Sequence, residues 1–244
     1  MAVATVRLIL ALTTAMTISA DVLKLFVTLD GNWSYEYDLT GQLTNARFIS
    51  INPDLENQHL SYSYDAAGNR TRTVVNGVTE NYSTNDLNQY EFAGTTTYNY
   101  DRDGNLISKT EGDKTWTYSY DNKNRLVEVV DADNNLTQYE YNAFGNRTAT
   151  VYNGDRTEYL IDPFGYGNVI AEYDDDGNLI AKYDHGIGLV SRTSSNNDQA
   201  FYDFDGTGST AALTGHAGTE LNSYVYRPFG EDFHEVETID NSFE

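Results

Sequence analysis

The 244-residue sequence contains no cysteine and only 3 proline residues. Without cysteine, neither a disulfide framework nor a thiolate metal site can form. The cellular compartment stays open, because a large repeat protein does not need disulfides for its stability. The rarity of proline beside 19 glycine residues favours a fold with many tight turns.

Positive charge is also scarce in this chain. Lys and Arg total 15 residues against 37 Asp and Glu, which gives a formal charge of −22. A surface of this sign repels phosphate backbones, so nucleic acid is not expected as a partner. The plain interpretation of the charge is a well-solvated surface.

A helical period of apolar residues is missing after residue 20. Alternation takes its place, as in Thr115-Trp-Thr-Tyr-Ser-Tyr120, where three aromatic side chains face one way and three hydroxyl side chains the other. This pattern is typical of half-buried antiparallel strands, and the 20 Tyr and 10 Phe residues favour strands as well. We therefore predict an all-β chain.

One stretch shows the unit from which the chain is built. Tyr98 and Tyr100 lie two residues apart and share one face of a strand. Asp101 then opens a type I turn, and Gly104 supplies the left-handed backbone conformation that closes it. This arrangement predicts a hairpin with a three-residue loop, followed by a returning strand that begins at Leu106.

The unit recurs along the sequence. Its closing residue falls at 104, 124, 145 and 165, in steps of 20, 21 and 20, and a fixed period indicates a repeat architecture. The predicted turn residues are Asp38, Gly41, Asp65, Gly68, Asp101, Gly104, Asp121, Asn124, Asn142, Gly145, Asp162, Pro163, Gly165, Pro228 and Gly230. The predicted repeat aromatics are Tyr35, Tyr37, Tyr62, Tyr64, Tyr98, Tyr100, Trp116, Tyr118, Tyr120, Tyr139 and Tyr141.

Tandem units of the form Y-x-Y-D-x-x-G-N-x-L resemble the YD repeats of RHS proteins, which also occur in ABC-toxin C components and teneurins. The resemblance covers about residues 30 to 240, and Tyr226-Arg-Pro-Phe-Gly-Glu231 is similar to the opening of the RHS-associated core. It implies a β-ribbon that spirals into a hollow shell. In relatives this shell encloses a toxin or forms part of a cell-surface protein.

Three segments are expected from these patterns. Residues 1–20 resemble a secretory signal, with an ordinary buried strand or a misplaced start as alternatives. Residues 21–197 hold the YD repeats, and residues 198–244 hold the last repeats and an incomplete start of the core. The chain then looks like a fragment or a truncated gene product, and we expect tandem antiparallel hairpins forming an open partial shell.

Candidate sites for chemistry are few. Asp101-Arg-Asp-Gly-Asn105 and Asp174-Asp-Asp-Gly-Asn178 resemble the first half of a calcium loop, but position 12 is Gly112 in one and His185 in the other instead of the bidentate Glu. ABC-toxin relatives cleave themselves near the end of the core, and no residue here matches that segment. We expect no catalytic residue, metal, cofactor or membrane span.

Two functions stay open from the sequence. The first is a non-catalytic shell segment of a secreted or surface RHS protein, serving toxin encapsulation or delivery between competing bacteria. Its partner would be a C-terminal toxin or the rest of a longer RHS polypeptide. The alternative is a cell-surface adhesion or carbohydrate-binding module, whose tyrosine and tryptophan rows stack on glycans.

Overall fold

The computed structural model describes residues 16–18, 21–27, 30–164 and 167–243, and these residues form 22 β-strands and no helix. The strands are β1 Met16–Ile18, β2 Asp21–Val27, β3 Gly31–Tyr37, β4 Leu43–Ser50, β5 Gln58–Tyr64, β6 Arg70–Val75, β7 Val78–Thr84, β8 Tyr90–Ala93, β9 Thr96–Tyr100, β10 Leu106–Glu111, β11 Lys114–Tyr120, β12 Leu126–Val130, β13 Leu136–Tyr141, β14 Arg147–Tyr152, β15 Asp155–Ile161, β16 Val169–Asp174, β17 Leu179–His185, β18 Leu189–Ser194, β19 Gln199–Phe204, β20 Thr210–Gly215, β21 Glu220–Tyr226 and β22 Asp232–Glu237.

The strands pair antiparallel with their neighbours in chain order. In β11, for example, Trp116 lies opposite Lys109 of β10, and Tyr118 lies opposite Val129 of β12. Such local pairing needs only short turns, which the frequent Gly and Asn residues provide. The predicted all-β fold of tandem antiparallel hairpins is confirmed, and among the described strands no pairing closes a ribbon into a ring.

The chain divides into two compact units, whose boundaries fall within β7 and β19. Unit 1 comprises Met1–Asn81 and Ala200–Glu244, and unit 2 comprises Tyr82–Gln199. Unit 1 is therefore assembled from two separate segments of the sequence. Unit 2 is one continuous run of hairpins.

Unit 1 contains an aromatic and aliphatic core. Phe48 is fully buried, and Trp33 contacts it with ring centroids 5.1 Å apart. The second segment adds Val225 and Phe233, and the Phe233 ring meets Phe48 edge-on at 5.5 Å. Burial of these rings from both segments holds the unit together.

Unit 2 has a thinner interior. Between residues 82 and 148 every described side chain is at least partly exposed, and burial begins at Ala149. Its second half buries small residues such as Ala149, Ala171, Ala181 and Ser191, and also the ring of Tyr183. The tyrosine rings between residues 82 and 148 stay at least partly exposed.

Most of the predicted signal segment, residues 1–20, lies outside the described residues. The structure describes only β1 within it, which pairs with β2. Among the described residues, none belongs to a helix long and apolar enough to cross a membrane.

Candidate functional site

The repeat turn is built by one carboxylate and one left-handed residue. In one example, Asp101 Oδ1 accepts the backbone N–H groups of Asp103 and Asn105, both at 2.9 Å. The N–H of Gly104 donates to the Asp101 carbonyl at 3.3 Å, and Gly104 has φ of 89°. The side chain at the start of the loop therefore satisfies amides that the turn leaves without a strand partner.

The same geometry recurs through both units. An Asp or Asn side chain accepts the amides two and four residues later at positions 38, 65, 85, 101, 121, 131, 142, 174 and 205. The closing residues with positive φ are Gly41, Gly68, Asn88, Gly104, Asn124, Asn134, Gly145, Gly177 and Gly208. The turns opened by Asp131 and Asp205 were missing from the predicted set, although the Asp-x-x-Gly/Asn signal is the same.

Hydrogen bonding shifts the ionisation of these aspartates. The Asn105 side chain, and then its backbone amide, lower the pKa of Asp101. At Asp121 the Arg125 guanidinium is the leading cause, and the pKa falls to about 2. The charged carboxylate is thus the form that suits the folded turn.

The two proline turns differ from each other. Arg227 N–H donates to the Glu231 carbonyl at 2.8 Å, and Gly230 closes that loop with φ of 87°. Asp162 instead donates its N–H to Asn168, two residues farther along than in the regular turn, and Asp162 Oδ1 accepts from the Phe164 amide. The predicted closing residue Gly165 lies outside the described residues.

In four of the repeat pairs, the second tyrosine makes a contact that sequence reasoning missed. It stands last in its strand and donates its hydroxyl to the backbone carbonyl of the first residue of the preceding strand. The pairs are Tyr64 to Leu43 at 2.8 Å, Tyr100 to Tyr90 at 3.1 Å, Tyr120 to Leu106 at 3.0 Å and Tyr141 to Leu126 at 2.7 Å. We call these contacts tyrosine latches. Their sequence signal is the second Tyr immediately before the turn Asp or Asn.

The remaining repeat aromatics lie on β3, β5, β9, β11 and β13. In unit 1, Tyr35 stacks on Trp33 with ring centroids 5.8 Å apart, and Tyr62 is buried. Lys109 lies over Trp116 in unit 2, with its Nζ 4.4 Å from the ring centroid. Tyr37, Tyr98, Tyr118 and Tyr139 are partly exposed.

Within unit 1, the turn at Pro228 packs onto an early hairpin. Phe229 meets the Tyr62 ring edge-on at 5.0 Å, and Arg70 Cζ lies 4.7 Å from the Phe229 centroid. Arg70 Nη1 also lies 3.8 Å from Glu231 Oε1. The motif from the end of the sequence thus reaches residues that belong to its first repeats.

In the part of the chain that the structure describes, no group of three His, Asp or Glu side chains is placed to hold a metal ion. The oxygens of Asp101 and Asp174 that resembled a calcium loop accept hydrogen bonds from their own turns. The carboxylates of Asp101 and Asp174 therefore act as hydrogen-bond acceptors for the backbone of their own turns.

Comparison with known proteins gives a family match and long relatives. The model of the RHS Repeat family matches residues 100–136 and 120–157. The tRNA3(Ser)-specific nuclease WapA of Bacillus spizizenii is 29% identical over 176 residues, covering 70% of this chain and 7% of the relative. The tRNA nuclease WapA of Bacillus subtilis matches with the same identity and coverage, so the chain spans only 7% of either relative.

Solved structures give weaker matches. A TcdB2–TccC3 structure without its hypervariable C-terminal region is 15% identical, with a TM-score of 0.41 over 89% of this chain and 17% of that chain. The Tc holotoxin pore of Photorhabdus luminescens is 13% identical, with a TM-score of 0.40 over 88% of this chain and 15% of that chain.

Proposed function

Because this chain is an RHS/YD-repeat protein, we propose that it is a non-catalytic structural segment of a longer RHS polypeptide that encapsulates or delivers a toxin. The observation that carries the proposal is the use of the repeat side chains. The turn carboxylates bind their own amides, and the latch tyrosines bind backbone carbonyls. Side chains committed in this way build a scaffold.

The two WapA relatives are named as nucleases, and we assign that activity to parts of those proteins that this chain does not match. The chain matches only 7% of each relative, which leaves ample room for a separate catalytic domain. Its net charge of −22 also opposes the approach of a tRNA phosphate backbone. The partner we propose is therefore a C-terminal toxin region of the same polypeptide.

Two measurements test this assignment. The purified chain should leave tRNA intact under conditions in which a nuclease control degrades it. Because the chain forms an open partial shell, it should not by itself protect a co-expressed toxin segment, whereas the longer RHS polypeptide should slow protease digestion of that segment. Cleavage of tRNA by the chain alone would contradict the structural role, and unchanged digestion within the longer polypeptide would contradict encapsulation.

We also propose a secreted or cell-surface location. RHS proteins that deliver toxins to other cells must leave the producing cell, and a net charge of −22 gives the chain a well-solvated surface there. Fractionation of the producing cell with an antibody to the chain provides the test. Recovery of the chain only from the cytoplasm would contradict this location.

A second candidate function is carbohydrate binding at a cell surface. It is favoured by the half-exposed aromatic rows of unit 2, where Trp116, Tyr118 and Tyr139 remain partly accessible. Aromatic rings of this kind can stack on sugar faces. Reproducible binding on a glycan array, lost in Tyr118→Ala and Tyr139→Ala but kept in Leu39→Ala at an exposed turn position, would support it over the scaffold alone.

A further inference from the structure

Two hairpins, one in each unit, have matching sequences and matching geometry. Tyr62-Ser-Tyr-Asp-Ala-Ala-Gly-Asn-Arg70 and Tyr139-Glu-Tyr-Asn-Ala-Phe-Gly-Asn-Arg147 differ at only three of nine positions. Tyr64 lies opposite Arg70 after a bulge, and Tyr141 lies opposite Arg147 after the same bulge. Each arginine folds back over the first tyrosine of its own hairpin. We call each tyrosine–arginine pair a cradle.

The cradle in unit 1 is occupied. Phe229 contacts both the Tyr62 ring and the Arg70 guanidinium, and Glu231 faces Arg70. The Arg70 side chain keeps only 16% of its exposure. The occupant is thus a hairpin turn that presents a phenylalanine ring and, two residues later, a carboxylate.

The cradle in unit 2 is formed but open. Arg147 Cζ lies 4.2 Å from the Tyr139 ring centroid, closer than Arg70 lies to Tyr62 at 6.0 Å. Arg147 is exposed, and in the described part of the chain no carboxylate pairs with it and no second ring covers it. Its flat cation is therefore preformed above an aromatic ring, with one side facing solvent.

We propose that the Tyr139–Arg147 cradle binds a hairpin turn of a partner polypeptide, with the chemistry that Phe229 and Glu231 present in unit 1. The partner's phenylalanine ring lies against the open face of the Arg147 guanidinium, beside Tyr139, and its carboxylate pairs with Arg147. Both contacts exploit properties of arginine, which stacks on rings and binds carboxylates in one plane. The unpaired Arg147 guanidinium also favours a turn that carries a carboxylate over other aromatic turns.

The chain's own exposed turns match this ligand less well. Phe144 and Phe164 occupy the same turn position as Phe229 and are 93% and 98% exposed. The residue two places after Phe144 is Asn146, so that turn lacks the carboxylate of Glu231. This difference favours a separate partner over a second copy of the chain.

The experiment uses a cyclised hairpin peptide with the sequence of residues 224–234, labelled with a fluorophore and titrated into the full chain. We expect saturable binding that weakens about tenfold in Arg147→Gln, the loss expected when a desolvated cation–π contact and an ion pair disappear together. Arg147→Lys should give an intermediate value, because it keeps the charge and loses the planar stack. Peptides with Ala in place of Phe229 or Gln in place of Glu231 should bind more weakly to the wild-type chain.

Lys109→Gln is the matched control, since it removes another cation–π pair of unit 2 and leaves the cradle intact. Its peptide affinity should equal that of the wild type, and circular dichroism should show that all variants fold alike. Equal affinity of the wild type and Arg147→Gln would overturn the proposal. Self-association of the chain that is lost in both Arg147→Gln and Phe164→Ala, without peptide binding, would also overturn it, because a second copy would then be the occupant.

Discussion

The hydroxyl of Tyr120 donates to the backbone carbonyl of Leu106 at 3.0 Å, joining the last residue of β11 to the first residue of β10. The two strands form one hairpin, and this contact fastens its open end beside the turn of the previous repeat. Because the same latch recurs at Tyr64, Tyr100 and Tyr141, it links successive repeats in both units.

Removing one latch hydroxyl should destabilise the chain. Tyr120→Phe leaves the ring in place and deprives the half-buried Leu106 carbonyl of its donor, so we expect a loss of about 0.5–1.5 kcal/mol in the free energy of unfolding. Tyr118→Phe is the control on the same strand, because Tyr118 makes no hydrogen bond through its hydroxyl in the described structure. Urea denaturation measures both variants, and equal losses would show that the latch contributes nothing.

The repeat was readable from the sequence because its two signals are local. The Tyr pair sets the strand face and the Asp-x-x-Gly turn ends the strand, so the prediction needed no distant contact. The tyrosine latches were not predicted because the acceptor of each hydroxyl is a backbone carbonyl, and every residue type provides that group. The contact of Phe229 with Tyr62 and Arg70 was not predicted for another reason. More than 150 residues separate Phe229 from these two residues in the sequence, so no local pattern indicates that they meet.

Some turns were also overlooked because a search at a period of 20 residues passes over their positions. Asp131 and Asn134 form the same turn as Asp121 and Asn124 only ten residues later, at the opposite end of strand β12. Asp162 shows the opposite case, because the N–H of this familiar turn residue donates to the Asn168 carbonyl, two residues beyond the regular position. Turn chemistry predicts where the chain reverses, while loop length depends on the register of the flanking strands.

Substitution of a closing glycine tests the turn itself. Gly145 has φ of 93°, and a Cβ added there would meet nothing within 4 Å, so any cost arises from the backbone alone. Gly145→Val should destabilise the chain by about 1–2 kcal/mol, since a β-branched residue resists the left-handed region. Gly145→Asn should lose much less, because Asn124 adopts φ of 57° at the equivalent place. Thermal melting of the two variants provides the comparison, and identical melting temperatures would contradict it.

Acid should weaken the turns within a defined pH window. The Asp121 pKa is lowered from 3.8 to about 2 by its hydrogen bonds with Arg125, so the folded state holds the charged form more strongly than the unfolded state does. Its contribution to stability is therefore complete above the unfolded pKa and is lost as pH falls from about 4 to about 2. The aspartates at 38, 65, 101, 131 and 174 shift in the same direction and add to this loss.

Asp121→Asn isolates one member of this group. Asn142 shows that an asparagine can accept the same turn amides, so the variant should fold and lose only the pH-dependent part at position 121. Urea unfolding followed from neutral pH into this acid window should show a shallower decline for Asp121→Asn than for the wild type. Parallel declines would mean that the Asp121 carboxylate does not contribute through its charge.

The contact between Phe229 and Arg70 should appear as an energetic coupling between the two segments of unit 1. Phe229→Ala removes a ring that touches both Tyr62 and Arg70, whereas Phe144→Ala removes a ring that is 93% exposed and should change stability little.

A double-mutant cycle that combines Phe229→Ala with Arg70→Gln measures the interaction between these two side chains directly. We expect Phe229→Ala and Arg70→Gln to couple by about 0.5–2 kcal/mol, the range for a cation–π contact that is partly withdrawn from water. Phe144→Ala combined with Arg70→Gln should be additive, since the Phe144 ring is almost fully exposed. Additivity in the Phe229 cycle as well would show that the late turn rests against the early hairpin without stabilising it, and that unit 1 is held by its buried core around Phe48 alone.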